Sequence, residues 1–334
     1  MSRARTFKTV GTLAVLTLGF LAAWSAAHAQ QAPRVARIGI LSSSASAYPN
    51  PDSILAYLQL LGYVHEKDFV LEYRSAAGRD DRLPELAAEL LRLKVAVIVP
   101  QGRQAILAAK AATKTIPIVM AAEGDPVAAG LVASLARPGG NVTGMVVLLP
   151  ELTAKRLQLL KETVPRLTRV GILWNPGDAE RVEEFNAARA AARALGLESE
   201  SLEVRSRDEV DRVIDSARKK RVGALLVLQG SVTTSNPKMI TDGAARNRLP
   251  SMYPSRLFVA TWGHDGLMSY EADAQELSRR VAFYIDRILK GTKPGDLPIE
   301  QPTKFEMVIN LRAAKAIGLQ IPPSLIVRAD RVIE

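Results

Sequence analysis

Gly266-Leu267-Met268-Ser269-Tyr270, Asp296-Leu297-Pro298-Ile299-Glu300-Gln301-Pro302-Thr303-Lys304-Phe305 and Ile321-Pro322-Pro323-Ser324, the last followed by Arg328-Ala329-Asp330, are the distinctive blocks of the C-terminal quarter. Between the first two, residues 272–290 place Leu277, Val281, Tyr284, Ile285 and Ile288 on one face at helical spacing. Gly291-Thr292-Lys293-Pro294-Gly295 then ends that helix with a glycine C-cap and a proline that cannot continue it. A second set lies upstream: Thr115-Ile116-Pro117-Ile118-Val119, Asp125-Pro126-Val127 and Arg137-Pro138-Gly139-Gly140-Asn141-Val142-Thr143-Gly144.

Working outward from these blocks, short β-branched runs alternate with amphipathic stretches, the pattern of parallel βα units. Strands are expected at residues 37–41, 69–73, 95–99, 116–120 and 142–146, with helices at 52–61, 82–92, 104–113 and 127–136. Five strands complete one sheet. The pattern restarts with helix 151–163, strand 169–174, helix 179–195, strand 198–204, helix 208–219 and strand 224–228. A chain of 334 residues that is 48% hydrophobic has material for two such cores. The fold class read from pattern is therefore α/β with two sheets.

The two sets of blocks resemble the ABC-transporter substrate-binding proteins of the tryptophan-binding-protein-like (ABC_sub_bind) family, and the likeness runs from about Ala36 onward. That resemblance implies a type 1 periplasmic binding protein: two Rossmann-like lobes with parallel sheets joined by a multi-crossover hinge. It places residues 34–148 plus 272–302 in the N-terminal lobe and 149–271 plus 303–334 in the C-terminal lobe. Crossovers are expected near Leu148-Leu149-Pro150, near residues 266–270 and in the closing segment 304–310. The implied role is capture of a small solute, with amino acids as the family's reference ligands, and delivery to an ABC permease and its ATPase in the inner membrane. A periplasmic sensor that signals to a membrane receptor or kinase would use the same fold.

Residues 1–29 read as a cleaved export signal: Arg3, Arg5 and Lys8, an apolar run over residues 10–24, and Ala27-His28-Ala29 at the cleavage site. The apolar run falls short of the ~20 residues a membrane span needs. Cysteine is absent, which excludes disulfides, thiolate chemistry and lipid attachment through cysteine. A soluble, unlipidated periplasmic protein, expected to be a monomer, fits these features. The net charge is +10, three of it in the signal, leaving +7. Basic residues alternate with acidic ones, as in Arg79-Asp80-Asp81-Arg82, so the charge reads as a mixed solvated surface and not as a nucleic-acid site.

In open α/β sheets ligands bind beyond the carboxyl ends of the strands. The loops to inspect are Ser42-Ser43-Ser44, Gln101-Gly102-Arg103, Glu123 to Asp125, Asn175-Pro176-Gly177, Gln229-Gly230-Ser231 and Tyr253-Pro254-Ser255. The serines either hold an anion at a helix N-terminus or form a plain loop with Asn50 or Asp52 as cap. Asp125 before Pro126 reads first as a helix start, with an ammonium partner as the other use, and Glu123 is a second candidate for that use. Arg103 has the fork to hold a carboxylate, or stands exposed in a first helical turn. Relatives commonly carry Gly or Ala-Thr-Pro in this third loop, so Gln101-Gly102-Arg103-Gln104 departs from the family. Gln229-Gly230 also lacks the acidic side chain some relatives place there. Both departures open the ligand range to small organic or aromatic acids.

Of Tyr48, Trp174, Tyr253 and Trp262, Tyr253 is the first choice for stacking on a planar ligand, while Trp174 reads as core. His65 and His264 stand outside any H-E-x-x-H arrangement, and there is no G-x-S-x-G elbow, P-loop or G-x-G-x-x-G after the first strand. No enzymatic activity, metal or cofactor is expected.

Overall fold

A computed structural model describes residues 35–43, 50–177, 179–261 and 263–334. The expected export signal, Ser44, Tyr48 and Trp262 lie outside the described residues. The first half runs β1 (Ala36–Ser42), α1 (Pro51–Leu60), β2 (Phe69–Ser75), α2 (Leu83–Arg92), β3 (Val97–Gln101), α3 (Arg103–Ala112), β4 (Ile118–Glu123) and β5 (Val142–Val147). All these strands are parallel, in the order β2-β1-β3-β4-β5. Local chemistry sets the helix starts: Asn50 accepts the Asp52 N–H at 2.8 Å and Pro51 opens α1. Gly39 in β1 lets the Leu90 methyls of α2 approach, since a Cβ there would lie 3.1 Å from them.

The chain then continues through α4 (Leu149–Thr163), β6 (Arg169–Trp174), α5 (Ala179–Ala194), β7 (Glu198–Glu203), α6 (Val210–Lys219), β8 (Ala224–Val227), α7 (Ser231–Ser235), α8 (Pro237–Arg246), β9 (Ser251–Tyr253) and β10 (Met268–Ala272). After α9 (Ala274–Leu289) come β11 (Phe305–Asn310), α10 (Leu311–Ile317), α11 (Pro323–Arg328) and β12 (Arg331–Ile333). The second sheet has seven strands in the order β12-β11-β10-β9-β8-β6-β7. Among the described residues its strands pair in parallel except β10 with β11, which are antiparallel, so both sheets are parallel or mostly so, as expected.

Each sheet is covered on both faces. Leu277, Val281, Tyr284 and Ile285 of α9 return to the first sheet and share a core with Ile38, Ile40, Val97 and Val99. The other face of that sheet packs Leu41, Ile98 and Met120 against Leu86, Leu90 and Ile106 of α2 and α3. In the second sheet α4 and α5 cover one face, with Leu157, Leu160, Phe185 and Ala188, and α6 and α8 cover the other, with Val210, Ile214 and Ile240. The chain passes between the sheets at Leu148, at Ala272–Asp273 and at Lys304–Phe305; the last two crossings are tied by the Asp273 N–H donating to the Lys304 carbonyl at 3.0 Å.

The helix expected over residues 127–136 is a run of turns instead. Asp125 caps its start, but Gly130 takes φ +67° and stops it after one turn. Ser134 then competes locally, accepting the Arg137 N–H and donating to the Arg137 carbonyl. Helices α7 and α8 were not expected at all, although Asn236-Pro237 carries a readable start signal for α8.

Candidate functional site

The carboxyl ends of β1 and β3 meet through backbone. The Ser43 N–H and Oγ both donate to the Gln101 carbonyl, at 3.2 and 3.1 Å. Gly102 follows with φ +89°, and a Cβ there would fall 2.3 Å from Ser43 Oγ, so glycine is required at this step. The turn delivers Arg103 to the start of α3, half-buried. Ser42 and Gln101 are themselves buried. At the end of β4 the Gly124 N–H donates to the Val147 carbonyl at 3.0 Å, and Asp125 is exposed. Asp125 Oδ1 accepts the Val127 and Ala128 N–H groups at 2.8 and 3.1 Å, the capping role. Arg103 and Asp125 line one small pocket at the rim of the first sheet, with Ile106, Met120, Pro126 and Val146.

On the second sheet the ends of β6 and β8 are joined by side chains. Asn175 is buried, its Nδ2 donates to Ser231 Oγ at 3.3 Å, and its Oδ1 accepts the Gly177 N–H at 2.9 Å. Gln229, half-buried, lies between β8 and Ser231. Trp174 is core as expected: it stacks on Phe185 at 4.2 Å and donates its indole N–H to Ser201 Oγ at 2.9 Å.

Tyr253 requires a correction. Its ring is fully buried and stacks on Phe258 at 5.0 Å, while its hydroxyl is hydrogen-bonded with Ser251 Oγ at 2.9 Å. Burial raises its pKa well above the ordinary tyrosine value. With no face open to solvent it cannot stack on a ligand, and it leaves the candidate set. The sequence could not separate the two uses, because β9 is three residues long and its end shows no alternation.

A buried polar network that the sequence did not reveal joins α4, α5, the loop after β9 and β10. Arg156 of α4 is 1% exposed and donates through Nε to the Tyr270 carbonyl and through Nη2 to the Pro254 carbonyl, both at 2.8 Å. Its Nη1 lies 3.8 Å from Glu184 Oε1. Glu184, equally buried, accepts from Thr153 at 3.1 Å and pairs with Arg181 at 2.6 Å. One guanidinium thus ties the first helix after a crossover to the loop after β9 and to the crossover strand β10. Beyond it Tyr270 stacks on Phe305 at 5.4 Å, and Glu271 lies opposite Glu306 in the β10–β11 ladder. Glu271 Oε1 accepts the Arg256 N–H at 2.6 Å, and Arg256 Nη1 lies 3.5 Å from Glu306. Burial pushes the Glu271 carboxyl up to about 7, against the pull of the Arg256 N–H and of the Arg156 and Arg256 charges.

A family model for ABC transporter substrate binding proteins matches residues 34–333. The chain belongs to that family. A tyrosine-binding protein of Clostridioides difficile (strain R20291) is 26% identical to this substrate-binding protein over 259 residues, 78% of this chain and 73% of that one. The crystal structure of an ABC domain in complex with L-Trp from Streptococcus pneumonia superposes with a TM-score of 0.78 at 25% identity, covering 90% of this chain and all of the other. A conserved domain protein from Vibrio cholerae O1 biovar El Tor gives 0.79 at 26% identity, with the same coverage. The architecture is that of the type 1 periplasmic binding proteins, and the family is one of solute-binding proteins and not of enzymes.

The blocks that carry the family likeness are contacts of the substrate-binding protein with itself. Thr143 Oγ1 donates to the Leu297 carbonyl at 2.8 Å and Tyr284 OH to the Pro298 carbonyl at 2.6 Å. The Val146 N–H donates to the Glu300 carbonyl at 2.9 Å, so residue 300 prolongs the first sheet past β5. Asn141 Nδ2 reaches the Ile116 and Thr113 carbonyls at 2.8 and 3.2 Å. Asp330 Oδ2 accepts the Met307 N–H at 2.8 Å.

Proposed function

We propose that this protein captures an amino acid with an aromatic side chain, or a small aromatic acid, in the cleft between its lobes and hands it to the permease and ATPase of an ABC importer. The lobes that close are residues 34–148 with 272–302 and residues 149–271 with 303–334. What supports the ligand class is Arg103 in the lining of the pocket at the rim of the first sheet, since its planar fork suits a carboxylate. The relatives named for tyrosine and solved with L-Trp support the aromatic part. Asn175, Gln229 and Ser231 supply hydrogen bonds from the opposite rim, with Ser43 and Gly102 shaping the near one.

Closure is a population shift. A ligand held by both rims binds the closed form better than the open one, and that difference moves the equilibrium. The permease then reads the closed shape. The export signal read in residues 1–29 and the lack of a cysteine to lipidate support a freely diffusing periplasmic protein, and the interspersed basic and acidic residues argue against a nucleic-acid partner. Among the described residues no helix is long and apolar enough to cross a membrane.

The test is thermal unfolding of refolded, ligand-stripped protein against amino acids, aromatic acids, dicarboxylates, sugars and nucleosides. A ligand at about 100 times its Kd adds ~2.7 kcal/mol, a shift of several degrees. A shift confined to aromatic amino acids or aromatic acids supports the reading. No shift with either removes it.

A further inference from the structure

An α-amino acid brings an ammonium into the cleft, and a desolvated ammonium needs an acidic partner. The acids at the rims are unequally placed for this. Asp125 is exposed and its Oδ1 caps two backbone N–H groups. Glu184 is buried inside its own network with Thr153, Arg181 and Arg156.

Glu271 differs from both. It is half-buried on the crossover strand β10, which runs past the end of β9 toward the first lobe, and it is anchored to the loop after β9 through Oε1. Both sides of that anchor are fixed, because Arg156 holds the carbonyls of Tyr270 and Pro254. The charged groups around it are Arg156, Arg256 and Glu306. The side chain of Arg256 pairs with Glu306, and Arg156 donates to the two carbonyls and faces Glu184, so neither guanidinium forms an ion pair with Glu271. The second carboxylate oxygen is left available for a donor.

We propose that Glu271 is the specificity-determining residue that receives the ligand's ammonium. This rests on the amino-acid reading above. The geometry is that of a rigidly held carboxylate near the carboxyl end of the crossover strand β10, anchored through Oε1, and its raised proton affinity agrees with a charge waiting for a cation. A neighbouring ammonium favours the ionised carboxylate, so below about pH 7 binding should release a proton to solvent.

The experiment is calorimetry at pH 6.5 in two buffers of different ionisation heat, with L-tyrosine and L-tryptophan as probes. Their analogues lacking the amino group, 3-(4-hydroxyphenyl)propionate and indole-3-propionate, serve as comparison. The wild-type protein is expected to prefer the amino acids and to release protons with them but not with the analogues. Glu271→Gln should weaken amino-acid binding by about 30-fold or more, leave the analogues unchanged and abolish the proton release. Glu271→Asp, which keeps the charge, should keep the preference in part. Retention of the full amine preference by Glu271→Gln overturns the assignment while leaving the amino-acid reading intact. Failure of the wild type to bind either amino acid overturns both.

Discussion

The seam where residues 139–144 meet residues 295–300 and the crossover around Tyr270 and Glu271 both join distant parts of the chain, one by close backbone contact and the other by charge. In the seam Gly144 takes φ +128° with the Met120 carbonyl oxygen 2.1 Å from where a Cβ would stand, and a Cβ on Gly295 would come within 3.0 Å of the Gly140 carbonyl. At the crossover Arg156, Glu184 and Arg181 are buried together and Glu271 faces Glu306. Backbone contact tolerates few residues and writes itself into the sequence as fixed glycine and proline blocks. Buried charge leaves only scattered arginines and glutamates, indistinguishable in the sequence from surface residues.

The largest break is expected in the seam. Gly144→Val combines a forbidden positive φ with a clash against backbone that cannot move aside, and should cost well over 3 kcal/mol, giving protein that does not fold. Far-UV circular dichroism of the purified variant reads this. A cooperative unfolding transition near that of the wild type would show that the seam can open.

Next comes the network. Glu184→Gln removes the buried carboxylate that pairs with Arg181 and faces Arg156, at a cost of about 3–5 kcal/mol. Urea unfolding should show a lower midpoint with an unchanged slope. A loss under 1 kcal/mol would mean that the three carbonyl and hydroxyl contacts hold the network and that its charge adds little.

Glu271 sharpens the comparison through pH. Its folded-state value, about 7, is above the ordinary carboxylate value of 4.5, so between those values the folded form binds more protons than the unfolded one. Its contribution to stability is therefore fully present below about 4.5, falls as pH rises through the window, and is gone above about 7. Glu271→Gln, neutral throughout, should gain on the wild type across that window and reach an advantage of at most about 3 kcal/mol at pH 8. Parallel stability curves for the two proteins from pH 4.5 to 8 would contradict this.

Legibility in the sequence followed the same division. The strands of the first sheet and β6, β7 and β8 of the second followed from β-branched runs, whereas β9 to β12, short or part of the crossovers, were not expected as strands; the return of α9 to the first sheet followed from the family likeness. Residues 127–136 misled because helical spacing was present while Gly130 and Ser134 acted locally against it. Of the candidate residues the sequence pointed to, Arg103 and Asp125 line one pocket and Asn175 donates to Ser231. Arg156, Glu184 and Glu271 were missed, since their meaning depends on contacts 15 to 114 residues apart in the chain. The arginine could have been suspected from its place on the apolar face of α4 beside Leu152, Leu159 and Leu160.

The smallest effect falls on Tyr253, which the sequence put in the cleft and the structure puts in the core. Tyr253→Phe keeps the ring on Phe258 and loses only the hydrogen bond with Ser251, leaving one buried hydroxyl to find another partner. A loss of about 1 kcal/mol is expected, lowering Tm by ~2–4 °C, with ligand affinity unchanged. The paired measurement decides which side of the division the residue belongs to. Weaker binding at an unchanged Tm would return Tyr253 to the ligand and make β9 part of the rim, whereas a lower Tm at constant affinity confines ligand choice to the polar loops and the crossover.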